Sequence, residues 1–168
     1  MRVLADLGPN PTRDLQRRMI GHGMLILLIG LLAGIGLLIS LIGGLEAWPG
    51  KLFPIALPGS SGAWVRFHMG QLLNAFLIVL VALMLPVLAF DYRDERRIGW
   101  FAVGIGWANT LFYAAALFAP NRALTFGSNR LGGASFASLI GLAPALVFAV
   151  VSVVVVAVLT RQAFRRPA

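Results

Sequence analysis

Four long apolar runs separated by short polar stretches account for most of this chain of 168 residues. They cover about residues 20–45, 63–90, 98–119 and 136–159. Each run holds roughly 20 or more predominantly apolar residues, enough for a helix to cross a hydrocarbon core about 30 Å thick. Their apolar positions do not gather on one helical face, the pattern of a helix surrounded by lipid or protein on all sides. Barrel strands would be shorter and would alternate. The pattern predicts an all-α integral membrane four-helix bundle, with residues 1–168 forming one transmembrane domain.

The connections differ in character. Residues 91–97 are short and charged, a plain link between two spans. Residues 46–62 carry Pro49, Gly50, Pro54, Pro58, Gly59 and Gly62 and are not expected to be helical throughout. Residues 120–133 hold Asn121, Arg122, Thr125, Gly127, Asn129 and Arg130, which either cap a site or solvate the outer surface. Gly30 and Gly34 form a small-xxx-small pair that predicts close packing of the first span. No internal repeat supports an inverted-repeat transporter.

Composition sharpens this picture. Hydrophobic residues make up 59% of the chain and charged residues 12%, so lipid must solvate much of its surface. The net charge of +8 does not point to nucleic acid, because the basic residues flank the apolar runs rather than forming one patch. Arg2, Arg13, Arg17, Arg18, Arg93, Arg96, Arg97, Arg161, Arg165 and Arg166 fall on one side. Lys51, Arg66, Arg122 and Arg130 fall on the other. The positive-inside rule then places both termini in the cytoplasm. The first run is longer than the core of a signal peptide and no small-x-small cleavage site follows it, so it reads as a retained helix. The absence of cysteine excludes disulfides, thiolate zinc sites, iron–sulfur clusters and covalently attached heme.

Polar groups inside hydrocarbon are costly and tend to mark function. At 1.5 Å per residue, His68 lies about 8 Å below the outer end of the second span, and Tyr113 about 9 Å below that of the third. Asn74 and Asn109 share a level near 15 Å, with Gln71 between the two levels. Asn109 and Tyr113 are four apart, on one helical face. The two histidines, His22 and His68, are expected roughly 20 Å or more apart, too far to share a metal. On spacing alone His68 is either a metal ligand or a hydrogen-bonded structural residue. As a ligand its simplest arrangement is to act singly and leave an open coordination position, the alternative being two identical His68 residues meeting across a symmetry axis. His22, between Gly21 and Gly23, reads as structural. No span contains an acidic residue, so hydrolytic chemistry finds little support.

Several segments resemble the bacterial styrene oxide isomerases. These are Pro58–Gly59–Ser60 with Trp64 through Gly70 and Leu73–Asn74, then Gly106–Trp107–Ala108–Asn109 with Phe112–Tyr113. The run from Pro120 to Gly127 with Asn129 is the most specific, and Gly21–His22–Gly23 and Gly43–Gly44 also fit. The resemblance implies a four-helix protein of the bacterial inner membrane that holds a ferric heme b and assembles as a homotrimer. It implies His68 as the axial heme ligand, with Tyr113 and Asn74 holding a lipophilic epoxide. It further implies Lewis-acid ring opening, a 1,2-hydride shift and release of an aldehyde, with no net redox change. One position departs: the family has an Asp where this chain has Ile105, on the helical face of Asn109 and Tyr113. A non-enzymatic heme protein and a cofactor-free membrane scaffold are the competing expectations.

Overall fold

The computed structural model describes residues 11–165. Arg2 and Arg166, two of the basic flanking residues, lie outside the described residues. Four helices form the body: α1 (Pro11–Ile42), α2 (Ser61–Leu88), α3 (Tyr92–Ala116) and α4 (Phe136–Ala163). The connection between α1 and α2 folds into an antiparallel hairpin of β1 (Gly44–Trp48) and β2 (Lys51–Pro54). The bundle is therefore all-α, with a small sheet added at one end. That end also carries residues 117–135; the other carries the described arginines of α1, α3 and α4.

Local chemistry sets the helix starts. The Ser60 side chain accepts from the Ala63 amide at the head of α2, and Asp91 does the same for Asp94 at the head of α3. Ser135 and Ser138 form a reciprocal capping box at α4. At the start of α1 the helix departs from the expected span. It runs nine residues ahead of Ile20 through the polar segment around Arg13, Arg17 and Arg18. Helix and apolar run are not the same object: the backbone satisfies itself wherever it is helical, while apolarity is needed only within lipid.

Helices α1, α2 and α4 are long and apolar enough to cross a membrane. Helix α3 has the length, 25 residues, but Asn109, Thr110, Tyr113 and two tryptophans dilute its apolar content. Packing offsets this. Helix α3 contacts α1, α2 and α4, whereas α4 leans almost wholly on α3. Met19, Ile26, Ile78, Leu85 and Ile105 build the main core among α1, α2 and α3. The outer faces stay apolar, with Leu32, Leu73 and Val150 all more than half exposed.

Glycines let α1 and α2 approach closely. A Cβ on Gly30 would stand 2.9 Å from Cβ of Gln71, and one on Gly34 would stand 3.0 Å from the His68 ring. The small-xxx-small expectation holds. Pro86 within α2 removes the amide that would bond the Ala82 carbonyl, and Gln16 of α1 supplies a substitute at 2.7 Å. The hairpin turn is Trp48–Pro49–Gly50–Lys51, with Gly50 at φ +78° and its amide donating to the Glu46 carboxylate. Proline followed by glycine in the two central positions is the sequence signal of such a turn.

Candidate active site

The densest polar group within the helices lies on the seam between α2 and α3. Asn109 Nδ2 donates to Asn74 Oδ1 at 2.9 Å, so the two asparagines expected to share a level do so. Thr110, one residue on, shares its single hydroxyl proton between Gln71 Oε1 at 2.9 Å and the Gly106 carbonyl at 2.8 Å. Tyr113 packs its ring against Gly70: a Cβ there would come within 2.3 Å of the tyrosine ring. Only glycine at position 70 allows this ring to sit between the helices.

The bonding pattern has a chemical direction. The side-chain acceptors of Asn74 and Gln71 are both engaged by donors from α3. Their amide nitrogens are left over. Gln71 is fully buried and its Nε2 has no partner. The Asn74 amide nitrogen and the Tyr113 hydroxyl also make no hydrogen bond among the described residues. An unmet buried donor costs on the order of 1–3 kcal/mol. The seam therefore holds free donors in the Gln71 and Asn74 amide nitrogens and the Tyr113 hydroxyl, beside the Asn109 Oδ1 acceptor, and these donors suit an oxygen that gains negative charge.

His68 occupies a different side of α2. Its Nδ1 lies 2.7 Å from the Gly30 carbonyl oxygen of α1, and its ring rests over Gly34. A carbonyl can only accept, so Nδ1 carries the proton and Nε2 is the nitrogen with a lone pair to offer. His68 and Gly70 are two residues apart, about 200° around the helix. His68 thus faces α1, while Gly70 and Tyr113 meet on the side toward α3. The expected common level of His68 and Tyr113 holds, but among the described residues of one chain no hydrogen bond or ring contact joins the histidine to Tyr113 or Asn74.

His22 accepts a hydrogen bond on Nδ1 from Trp107 Nε1 at 3.2 Å and stands edge-on to Trp100 and Trp107. That is a structural setting, as its position suggested. His68 sits level with Gly30 and Gly34, about ten residues along α1 from His22, or about 15 Å. Helix α2 begins level with Ser40, where Ser40 and Ser61 bond at 2.9 Å, and His68 is two turns farther in. The separation still forbids a shared metal.

Ile105 is 3% exposed and packs into the main core. It lies one turn before Asn109, so the site ends there in hydrocarbon. At the loop end of the α2–α3 seam, Gly59, Ala63, Ala116 and Arg122 line a cavity of about 340 Å³. The connection beside it is internally bonded. Buried Asn121 donates to the carbonyls of Thr125 and Gly127, and accepts from the Ala123 amide and the Ser138 hydroxyl. These bonds hold Arg122 and Ala123 at φ +59° and +53°. Of the two readings of this connection, an ordered cap tied to α4 fits better than a solvated loop.

Thr110 and Gly70 are the residues that sequence reasoning missed. Thr110 follows Asn109 directly, and a second polar residue beside the first was the available signal. Gly70 is legible only once Tyr113 is known to lie opposite.

Comparison with known proteins identifies the family. The family model described as styrene oxide isomerase matches residues 15–164. A styrene-oxide isomerase of Pseudomonas fluorescens is 40% identical over 150 residues, covering 89% of each chain. The matched segment includes α1 from Leu15 onward, the whole of α2, α3 and α4, and every residue of the α2–α3 seam, so this chain belongs to the styrene oxide isomerase family.

Proposed function

We propose that this chain is an epoxide isomerase of a bacterial inner membrane, converting a lipophilic, styrene oxide-like epoxide to an aldehyde with the help of a ferric heme b held by His68. The observation that carries the reading is the donor-rich seam formed by Tyr113, Asn74 and Gln71. In the reaction one C–O bond of the ring breaks, a hydride moves to the carbon that lost oxygen, and the C=O bond forms. Atoms and electrons balance within the substrate.

The residues present suit the cofactor. His68 is half-buried, its Nδ1 is committed to the Gly30 carbonyl, and Nε2 remains for a metal. Glycine at position 34 leaves room for the ring. A ferric heme bound there supplies a Lewis acid for the epoxide oxygen. The chain itself supplies the rest. The Tyr113 hydroxyl and the Asn74 amide donate to the oxygen as it gains charge. Asn109 fixes Asn74 by holding its carbonyl. The apolar walls exclude water, which would otherwise trap the carbocation as a diol.

His68 and the Tyr113–Asn74 pair face different sides of α2, so a site using all three needs a second copy of the chain. This supports the homotrimer that the resemblance implies. The charge asymmetry supports cytoplasmic placement of both termini.

Incubating membranes that contain the protein with styrene oxide tests the proposal. The aldehyde isomer is expected from the ferric protein, with loss of activity on dithionite reduction. Full turnover by the ferrous form would defeat the Lewis-acid account. A heme spectrum without aldehyde in either redox state would favour a non-enzymatic heme protein, the reading that Ile105 in place of Asp keeps open.

A further inference from the structure

At the arginine-rich end of the bundle, α1 and α3 leave their apolar segments at the same height. Met19 and Leu15 pack against Gly99, so Arg18 comes level with the first turns of α3. Two adjoining cavities open there, of about 290 and 400 Å³, sharing Arg96 and Trp100 in their walls. Arg18 lines the first; Arg93 and Arg97 line the second. Asp14 also lines the first, so four guanidinium groups face one carboxylate.

The other acidic groups nearby are engaged. Asp94 pairs with Arg97 at 3.3 Å, Asp91 caps α3, and Glu95 is buried and accepts from Thr12. Arg18, Arg93 and Arg96 have no hydrogen-bond or ion-pair partner among the described residues. A third cavity, about 240 Å³, adjoins the second through Arg97 and Phe101. Asp94, paired with Arg97, stands at its edge, and its other walls are apolar, with Ile98 of α3 and Val154 and Val158 of α4.

We propose that this continuous surface binds one anionic glycerophospholipid. Its phosphate lies among Arg18, Arg93 and Arg96, its glycerol region against Trp100, and an acyl chain in the trough between Phe101 and Val158. Three features select this ligand over a soluble anion: unpaired guanidinium groups, an aromatic residue at the membrane boundary, and an apolar trough leading away from the charge. A soluble anion would use only the first. The proposal is independent of the isomerase reading, because no residue of the α2–α3 seam takes part.

The test uses the full chain purified in a neutral detergent, titrated with phosphatidylglycerol, phosphatidylcholine or inorganic phosphate. Thermal unfolding and native mass spectrometry are the readouts. Phosphatidylglycerol is expected to raise Tm and to remain bound as a discrete adduct, whereas the other two are not. An Arg18→Gln/Arg96→Gln variant should keep the lipid-free Tm, since both residues are exposed, and bind phosphatidylglycerol about 30-fold more weakly. Val158→Asp, in the trough, gives a second and independent loss. Equal response to phosphatidylcholine, or an unchanged phosphatidylglycerol response in the arginine variant, would overturn the proposal. Stabilisation by phosphate alone would reduce it to an anion site. Loss of oligomer mass in the arginine variant without loss of lipid would make the surface a contact between copies.

Discussion

At the scale of single residues, the two histidines provide the sharpest contrast. His68 offers Nε2 because Nδ1 is tied to the Gly30 carbonyl; His22 sits between two tryptophans and accepts from one of them. His68→Ala should remove or shift the Soret band of the purified protein, and His22→Ala should leave it in place; an unaltered spectrum in His68→Ala would move the ligand elsewhere. Tyr113 tests the donor seam. Its hydroxyl is free and its ring is fixed against Gly70 by shape, so Tyr113→Phe keeps the packing and removes one donor. The expected loss is on the order of a hundredfold in turnover, with the Soret band retained. A variant as fast as the parent would take Tyr113 out of the chemistry. Much of this was legible in the sequence, because depth follows from counting residues along helices of known direction. The pairing of Asn74 with Asn109 is such a case. The side of α2 that His68 faces was not legible, because rotation about a helix axis is set by its neighbours. It took the Gly30 carbonyl to reveal it.

At the scale of elements, close helix contact depends on missing side chains. Gly36 and Gly70 face aromatic rings of α2 and α3: a Cβ on either would stand 2.3 Å from a ring atom, of Trp64 and Tyr113 respectively. Gly36→Ala or Gly70→Ala should therefore destabilise the bundle by about 1–3 kcal/mol, read as a lower Tm. Gly21→Ala is the control, since nothing lies within 4 Å of its added Cβ and alanine favours the helix. Equal effects at all three positions would mean that ring contact is not what matters. Hydropathy marked the four helices well, yet it did not mark the hairpin of β1 and β2. Its strands are four and five residues long, and their side chains are nearly all exposed. Such a strand leaves no alternating pattern, only the Pro49–Gly50 turn signal.

At the scale of the whole molecule, charge is divided between the two ends. Among the described residues, eight arginines lie at the end that carries the start of α1 and the end of α4, and Lys51, Arg66, Arg122 and Arg130 belong to the other. Reporter fusions should place both the N- and C-termini in the cytoplasm, and an external C-terminus would end that orientation. The bundle also has an internal inequality: α3, the least apolar helix, is the one with protein on three sides. This has a consequence for how the chain enters the membrane. During synthesis α3 emerges before α4, and at that moment the lipid offers little to Asn109, Thr110 and Tyr113. Partition into the bilayer becomes fully favourable only when α1 and α2 cover the polar seam and α4 covers the opposite face. A chain ended after Ala116 should show incomplete insertion of its last helix in a glycosylation-mapping assay, and appending α4 should restore it. Integration of this protein is thus a cooperative event, in which the helix bearing the polar residues is the last to commit to the lipid.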